Sequence, residues 1–129
     1  MLDVELDRLA GLAILRPTGA LSERDFETVA NVIDPYLEEH GELTGLIIHT
    51  KEFPGWESFG AMLKHFKFVK DHQRKISRVA LVTDSKIGNL VELIGSHFIS
   101  AKVKHFPQDA FIDARKWVLD AKPTQVNKT

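Results

Sequence analysis

The chain reads as an α/β domain, with a mixed, mainly parallel sheet of four or five strands flanked by helices and opened by a β-hairpin. Three observations carry that expectation. Val4, Leu6, Leu12 and Ile14 alternate with polar or small residues around the short connection Arg8-Leu9-Ala10-Gly11, the pattern of two antiparallel strands. Leu46-Ile47-Ile48 and Val79-Ala80-Leu81-Val82 are short, continuous apolar runs, as strands covered on both faces require. Segments of helical spacing separate these runs, and parallel neighbours need such long crossovers.

The elements follow in order. Thr18-Gly19 breaks the second strand, and Ser22 with Asp25 three residues later forms a short-acid variant of the capping box. Phe26, Val29, Ala30, Ile33 and Leu37 then mark a helix, within which Pro35 removes a backbone donor and is expected to kink or divide it. His40-Gly41 supplies the stop. The next strand is the run from Leu46 to Ile48, bounded by Thr44-Gly45 and His49-Thr50. A helix entered through Pro54-Gly55 leads to the run from Val79 to Val82. Asp84-Ser85 is an N-cap for a helix carrying Ile87, Leu90, Val91, Ile94 and Phe98. A brief strand from Val103 to Phe106 and a helix from about Asp109 to Ala121, with Phe111, Ala114, Trp117 and Val118, complete the pattern. Residues 1–121 are expected to form one domain and residues 122–129 a flexible tail.

Composition narrows the function. With 43% hydrophobic and 27% charged residues, the 129-residue chain sits in the range of an ordinary globular domain with one core. No apolar run approaches the roughly 20 residues of a spanning helix, and the opening residues lack the pattern of a secretory signal. The absence of cysteine removes disulfides, thiolate metal sites and thiol nucleophiles. A cytoplasmic location, with peripheral contact at the inner face of the membrane, is the simplest expectation. The net charge of −1 hides an asymmetry: residues 1–50 carry ten acids and three bases, residues 51–78 seven bases and three acids. That basic footprint is too narrow for nucleic acid, which is not expected as a partner.

The segment from Phe53 to Lys70 is the most distinctive. Trp56, Phe59, Met62, Leu63 and Phe66 gather on one side of a helix at about 100° per residue, with Phe68 nearly opposite and Lys64, Lys67 and Lys70 interleaved. An amphipathic helix normally buries such a stripe, which accounts for Leu63 and Phe66 most simply. Trp56, beside Pro54-Gly55, and Phe68, among lysines, fit a core less well and suggest a surface for a lipid, a membrane or another non-polar small molecule. An uncovered apolar helix also pairs readily, so a homodimer or a regulatory protein partner is a further use of the same face.

Catalytic readings are weaker. His49, Thr50, Asp84 and Ser85 sit at neighbouring strand ends, where ligands of open α/β sheets bind, but Ser85 lacks the Gly-x-Ser-x-Gly setting of an exposed nucleophile. His65 and His72 share a helix face without a third ligand, and His97 and His105 read as polar rim residues. No phosphate-binding glycine pattern is present. The chain therefore reads as non-catalytic, with no cofactor and no metal.

Phe53-Pro54-Gly55-Trp56, Phe59-Gly60-Ala61-Met62-Leu63, Phe66-Lys67-Phe68, Arg78 to Asp84 and Val103-Lys104-His105-Phe106-Pro107, in this order and spacing, resemble the SpoIIAA-like family. That family is a relative of the STAS domain, with similarity in shape to CRAL-TRIO lipid-binding domains. The resemblance implies a STAS-like sheet flanked by helices, membrane association and a pocket for a non-polar ligand, and no established reaction. Anti-sigma-factor antagonists carry an Asp-Ser-Ser-Gly type motif that a kinase phosphorylates. Here Glu57-Ser58-Phe59-Gly60 occupies the similar place, so the resemblance points to Ser58 as a regulatory phosphorylation site in a partner-switching domain. Serine is also common at helix starts, where Ser58 would simply cap the first turn.

Overall fold

The computed structural model describes residues 2–18, 22–51, 76–84 and 102–120. The elements are β1 (Leu2–Asp7), β2 (Leu12–Pro17), α1 (Glu23–His40), β3 (Leu43–His49), β4 (Ile76–Val82), β5 (Lys102–Phe106) and α2 (Phe111–Leu119). The strands form one five-stranded sheet in the order β1-β2-β3-β4-β5. β1 pairs antiparallel with β2, and the remaining pairs are parallel. The mixed sheet and its opening hairpin are those the alternation predicts. The helices expected over residues 56–69 and after Ser85 lie outside the described residues, as does the tail.

Local chemistry explains the ends of the elements. Gly11 closes the hairpin at φ 69°, a left-handed backbone that glycine adopts at no steric cost, and its N–H donates to the Asp7 carbonyl at 2.9 Å. Ser22 and Asp25 cap α1 reciprocally, and the backbone bond from Ser22 holds the Asp25 carboxyl below its usual range. Gly41, at φ 85°, ends the helix by donating to the Leu37 carbonyl at 2.7 Å. Of the two outcomes expected of Pro35, a kink or a division, division does not occur: α1 runs as one helix through it. Pro35 and Asn31, whose carbonyl loses its helical donor, both face solvent, while Val29, Ile33 and Leu37 are buried. Water satisfies the freed carbonyl, and burial of the apolar stripe holds the helix continuous.

The two faces of the sheet follow from register. Leu12, Ile14, Ile47, Ala80, Val82 and Phe106 pack with Ala114 and Val118 of α2. The alternate residues Ala13, Leu15, Leu46, Ile48, Val79 and Leu81 are buried on the opposite face. Leu2, Val4 and Leu6 share that second face through their pairing with Pro17, Leu15 and Ala13, and α1 lies against β1 there. The central strands are thus covered on both sides, which explains their unbroken apolar runs.

α2 is held more by burial than by charge. Arg115 donates to the Asp7 carboxylate at 2.7 Å and holds that carboxyl below its usual range, yet both side chains are partly open to water. Such a pair contributes about 1 kcal/mol or less, whereas burying a valine such as Val118 contributes about 1.5–3 kcal/mol. The ion pair sets the orientation of the helix and the apolar contact supplies its stability. Beneath Val118 lies Gly45, where an ideal Cβ would stand 1.9 Å from the Val118 Cγ1. Thr44-Gly45 is consequently part of β3 and not its boundary. α2 starts at Phe111, two residues later than expected, because a turn closed by the Ala110 N–H on the Pro107 carbonyl at 2.9 Å precedes it.

We expect Ile47→Ala, at the centre of the sheet, to cost about 2–5 kcal/mol in urea unfolding. Leu9→Ala, at a hairpin position 95% exposed, should change stability by no more than about 0.5 kcal/mol.

Candidate functional site

The carboxyl ends of β2 to β5 lie side by side, and the chain leaving each strand is tied to its neighbour. The Thr50 N–H donates to the Val82 carbonyl at 3.0 Å, and the Thr50 hydroxyl to the Pro17 carbonyl at 3.1 Å. One strand further, the Thr83 N–H donates to the Phe106 carbonyl at 2.9 Å, and the Thr83 hydroxyl to the Lys51 carbonyl at 3.3 Å. His105 places Nε2 2.8 Å from the Thr83 carbonyl, which makes that nitrogen the protonated one. Asp84 accepts from the Gln108 N–H at 3.0 Å; the helix it is expected to cap with Ser85 lies outside the described residues. Both threonines are buried, and hydrogen bonds to main-chain carbonyls offset the cost of taking their hydroxyls out of water.

His49 ends β3 inside this lacing. Its ring stacks on Phe111 with centroids 4.8 Å apart, and the Arg16 guanidinium lies 5.7 Å from the Phe111 centroid. Nε2 faces the Gln108 carbonyl at 3.4 Å and carries the proton, so Nδ1 is the acceptor. Nδ1 and the Gln108 Oε1 are both buried without a hydrogen-bond partner among the described residues. Burial pushes the His49 pKa below its ordinary 6.5; the bond to Gln108 opposes this and the Arg16 charge adds to it. The imidazole is therefore held neutral near pH 7.

This edge offers acceptors and an aromatic wall. The Thr50 and Thr83 hydroxyls donate to main-chain carbonyls. Among the described residues, no group of three His, Asp or Glu side chains is placed to hold a metal ion, and no helix is long and apolar enough to cross a membrane. His49, Thr50 and Asp84 do meet at the strand ends, as their positions in sequence suggest. Arg16, Gln108 and Phe111 join them unannounced: the β2–β3 register sets Arg16 beside His49, and the turn and helix after β5 bring Gln108 and Phe111. Trp56, Ser58, Phe59, Met62, Leu63, Lys64, Phe66, Lys67, Phe68 and Lys70, with Ser85, lie outside the described residues.

A family model described as SpoIIAA-like matches residues 12–119. The chain belongs to the SpoIIAA-like family. A solved structure of an uncharacterized protein from Shewanella loihica PV-4, described as having a SpoIIAA-like fold, is similar to this SpoIIAA-like domain. The match covers 92% of each chain with a TM-score of 0.60 at 16% identity, a likeness of fold alone. A search of curated proteins finds no match to this chain.

The neutral His49 gives a pH dependence whose sign is set by proton counting. Below pH 6.5 the unfolded chain binds a proton that the folded chain refuses, so stability is complete above 6.5 and falls as pH drops toward the lower folded value. In urea titrations between about pH 5 and 8, the wild-type midpoint should fall on the acid side relative to that of His49→Gln. Equal slopes for the two proteins would remove His49 as the cause.

Proposed function

We propose that this SpoIIAA-like domain is a non-catalytic binding module. It engages a lipid, a membrane surface or another non-polar ligand through the segment 56–69. The observation that carries this reading is the sequence from Phe53 to Lys70, where Trp56, Phe59, Met62, Leu63, Phe66 and Phe68 are interleaved with Lys64, Lys67 and Lys70. That segment departs from the sheet directly after Lys51, whose carbonyl is fastened by Thr83. A laced carboxyl edge supports the reading as a rigid base for a binding segment, since the Thr50 and Thr83 hydroxyls fasten it to main-chain carbonyls. Burial of Trp56 and one phenylalanine in a bilayer interface would contribute about 4–6 kcal/mol before orientational costs, enough for reversible attachment.

Membership in the SpoIIAA-like family supports a second use of the same segment. A protein partner would read residues 56–69, with Ser58 as the regulated position. A phosphate there adds about −2 charge, which a helix N-terminus accommodates and a partner senses.

Co-sedimentation with liposomes and native mass spectrometry separate the two. Wild type should sediment with vesicles or retain an apolar molecule, and Trp56→Ala should lose about tenfold or more in binding. A ligand-free protein indifferent to vesicles would contradict the lipid reading. Ser58→Glu should leave vesicle binding through the aromatic residues in place and alter capture of a protein partner.

A further inference from the structure

The end of the sheet opposite the lacing carries a cluster of positive charge on β4 and β5. Arg78 and Lys102 are direct cross-strand partners in the parallel register of β4 and β5, and Lys104, two residues on, shares their face. Like charges set directly opposite one another destabilise a sheet. Among the described residues, no carboxylate lies within 4.0 Å of any of the three. Lys102 and Lys104 are exposed. Trp117, half-buried in the last turn of α2, gathers the cluster: the Arg78 guanidinium lies 4.8 Å and the Lys104 Nζ 5.9 Å from its ring centroid. Arg78 also donates to the Trp117 carbonyl, and Lys104 lies 5.2 Å from the Phe106 centroid. In sequence, Arg74 and Lys75 immediately precede β4, and Lys122 follows α2.

Lysines on an edge strand are a common guard against unwanted sheet extension. That role accounts for Lys102 and Lys104, but not for Arg78, which sits on an interior strand and faces Lys102 across the ladder. An arrangement that repels itself and has no carboxylate partner among the described residues fits an external anion.

We infer that this amino-end surface docks onto an anionic lipid membrane, with Lys102, Lys104 and Arg78 meeting headgroup phosphates and Trp117 at the interface. Charge complementarity selects an anionic surface, and the indole selects a bilayer over nucleic acid. A base would need a free aromatic face on which to stack, and both Arg78 and Lys104 lie over this one. The inference rests on the lipid reading of the domain and adds to it the charge of the surface bound and a second contact far from Trp56 in sequence.

The test is co-sedimentation of the full chain with two kinds of vesicle, phosphatidylcholine alone and phosphatidylcholine with roughly one third phosphatidylglycerol. Wild type is compared with Lys102→Gln/Lys104→Gln, whose exposed positions leave the fold intact, checked by its unfolding midpoint. The expected result is tighter wild-type binding to the anionic vesicles, with the double variant losing about fivefold per lysine, about twenty-fivefold in all, on those vesicles only. A double variant that keeps the preference for anionic lipid overturns this surface while the lipid reading stands. Equal wild-type binding to both vesicles does the same; binding to neither overturns this surface, and overturns the lipid reading as well when native mass spectrometry finds no retained apolar molecule. A lysine-dependent loss seen with an acidic peptide or single-stranded RNA, without one on vesicles, rejects the membrane as the occupant.

Discussion

The described structure depends on one close approach, that of Val118 to the bare backbone of Gly45. In the row Leu12–Gly45–Arg78–Lys102 across the sheet, glycine is the residue that leaves room for a helix directly over β3. A Cβ at Gly45 would overlap the Val118 side chain and press on the Arg78 carbonyl at 3.0 Å. Close packing leaves no slack for that, so α2 would lift or tilt. Other contacts of the helix follow from this seat. Arg115 turns toward Asp7 on one side and Trp117 toward Arg78 on the other, while Phe111 reaches His49. Seven helical residues from Val118 to Phe111 and four strand residues from Gly45 to His49 both span about 10–13 Å, so the helix runs the length of β3.

The same seat gives the two ends of the sheet different chemistry. At the carboxyl ends, Phe111 shuts His49 into a neutral, half-buried state, and two threonines fasten the departing chain to neighbouring strands. At the amino ends, the last turn of α2 brings an indole over Arg78 and Lys104, concentrating cations that have no carboxylate partner among the described residues. In sequence, the residues between β3 and β4 begin with the aromatic cluster and finish with Arg74 and Lys75.

Much of this fold is legible in sequence because its signals are local. Alternation around Arg8-Leu9-Ala10-Gly11 specifies the hairpin, Ser22 with Asp25 the start of α1, and Gly41 its end; each depends on residues within a few positions. Pro35 misleads because its cost depends on whether its face is wet, which helical spacing alone does not weigh against burial of Ile33 and Leu37. Gly45 reads as a strand boundary because glycine is ordinarily weak in strands, and its purpose appears only with Val118, far along the chain. The carboxyl-edge histidine was visible as a residue at a strand end. Its partners Arg16, Gln108 and Phe111 were not, since three separate elements must assemble before they meet. The family resemblance, carried by runs spread over the chain, agrees with the match over residues 12–119.

The most direct measurement is a pH titration of the His49 ring protons by NMR in wild type and in Gly45→Ala, far from His49 in the ladder but under the same helix. If Val118 on Gly45 seats α2, the variant folds with a displaced helix, Phe111 uncovers the imidazole, and the His49 pKa rises from its depressed value toward the ordinary 6.5. A folded variant with wild-type titration at His49 would contradict the account, because Phe111 would then be held at the carboxyl edge by something other than the contact at Gly45.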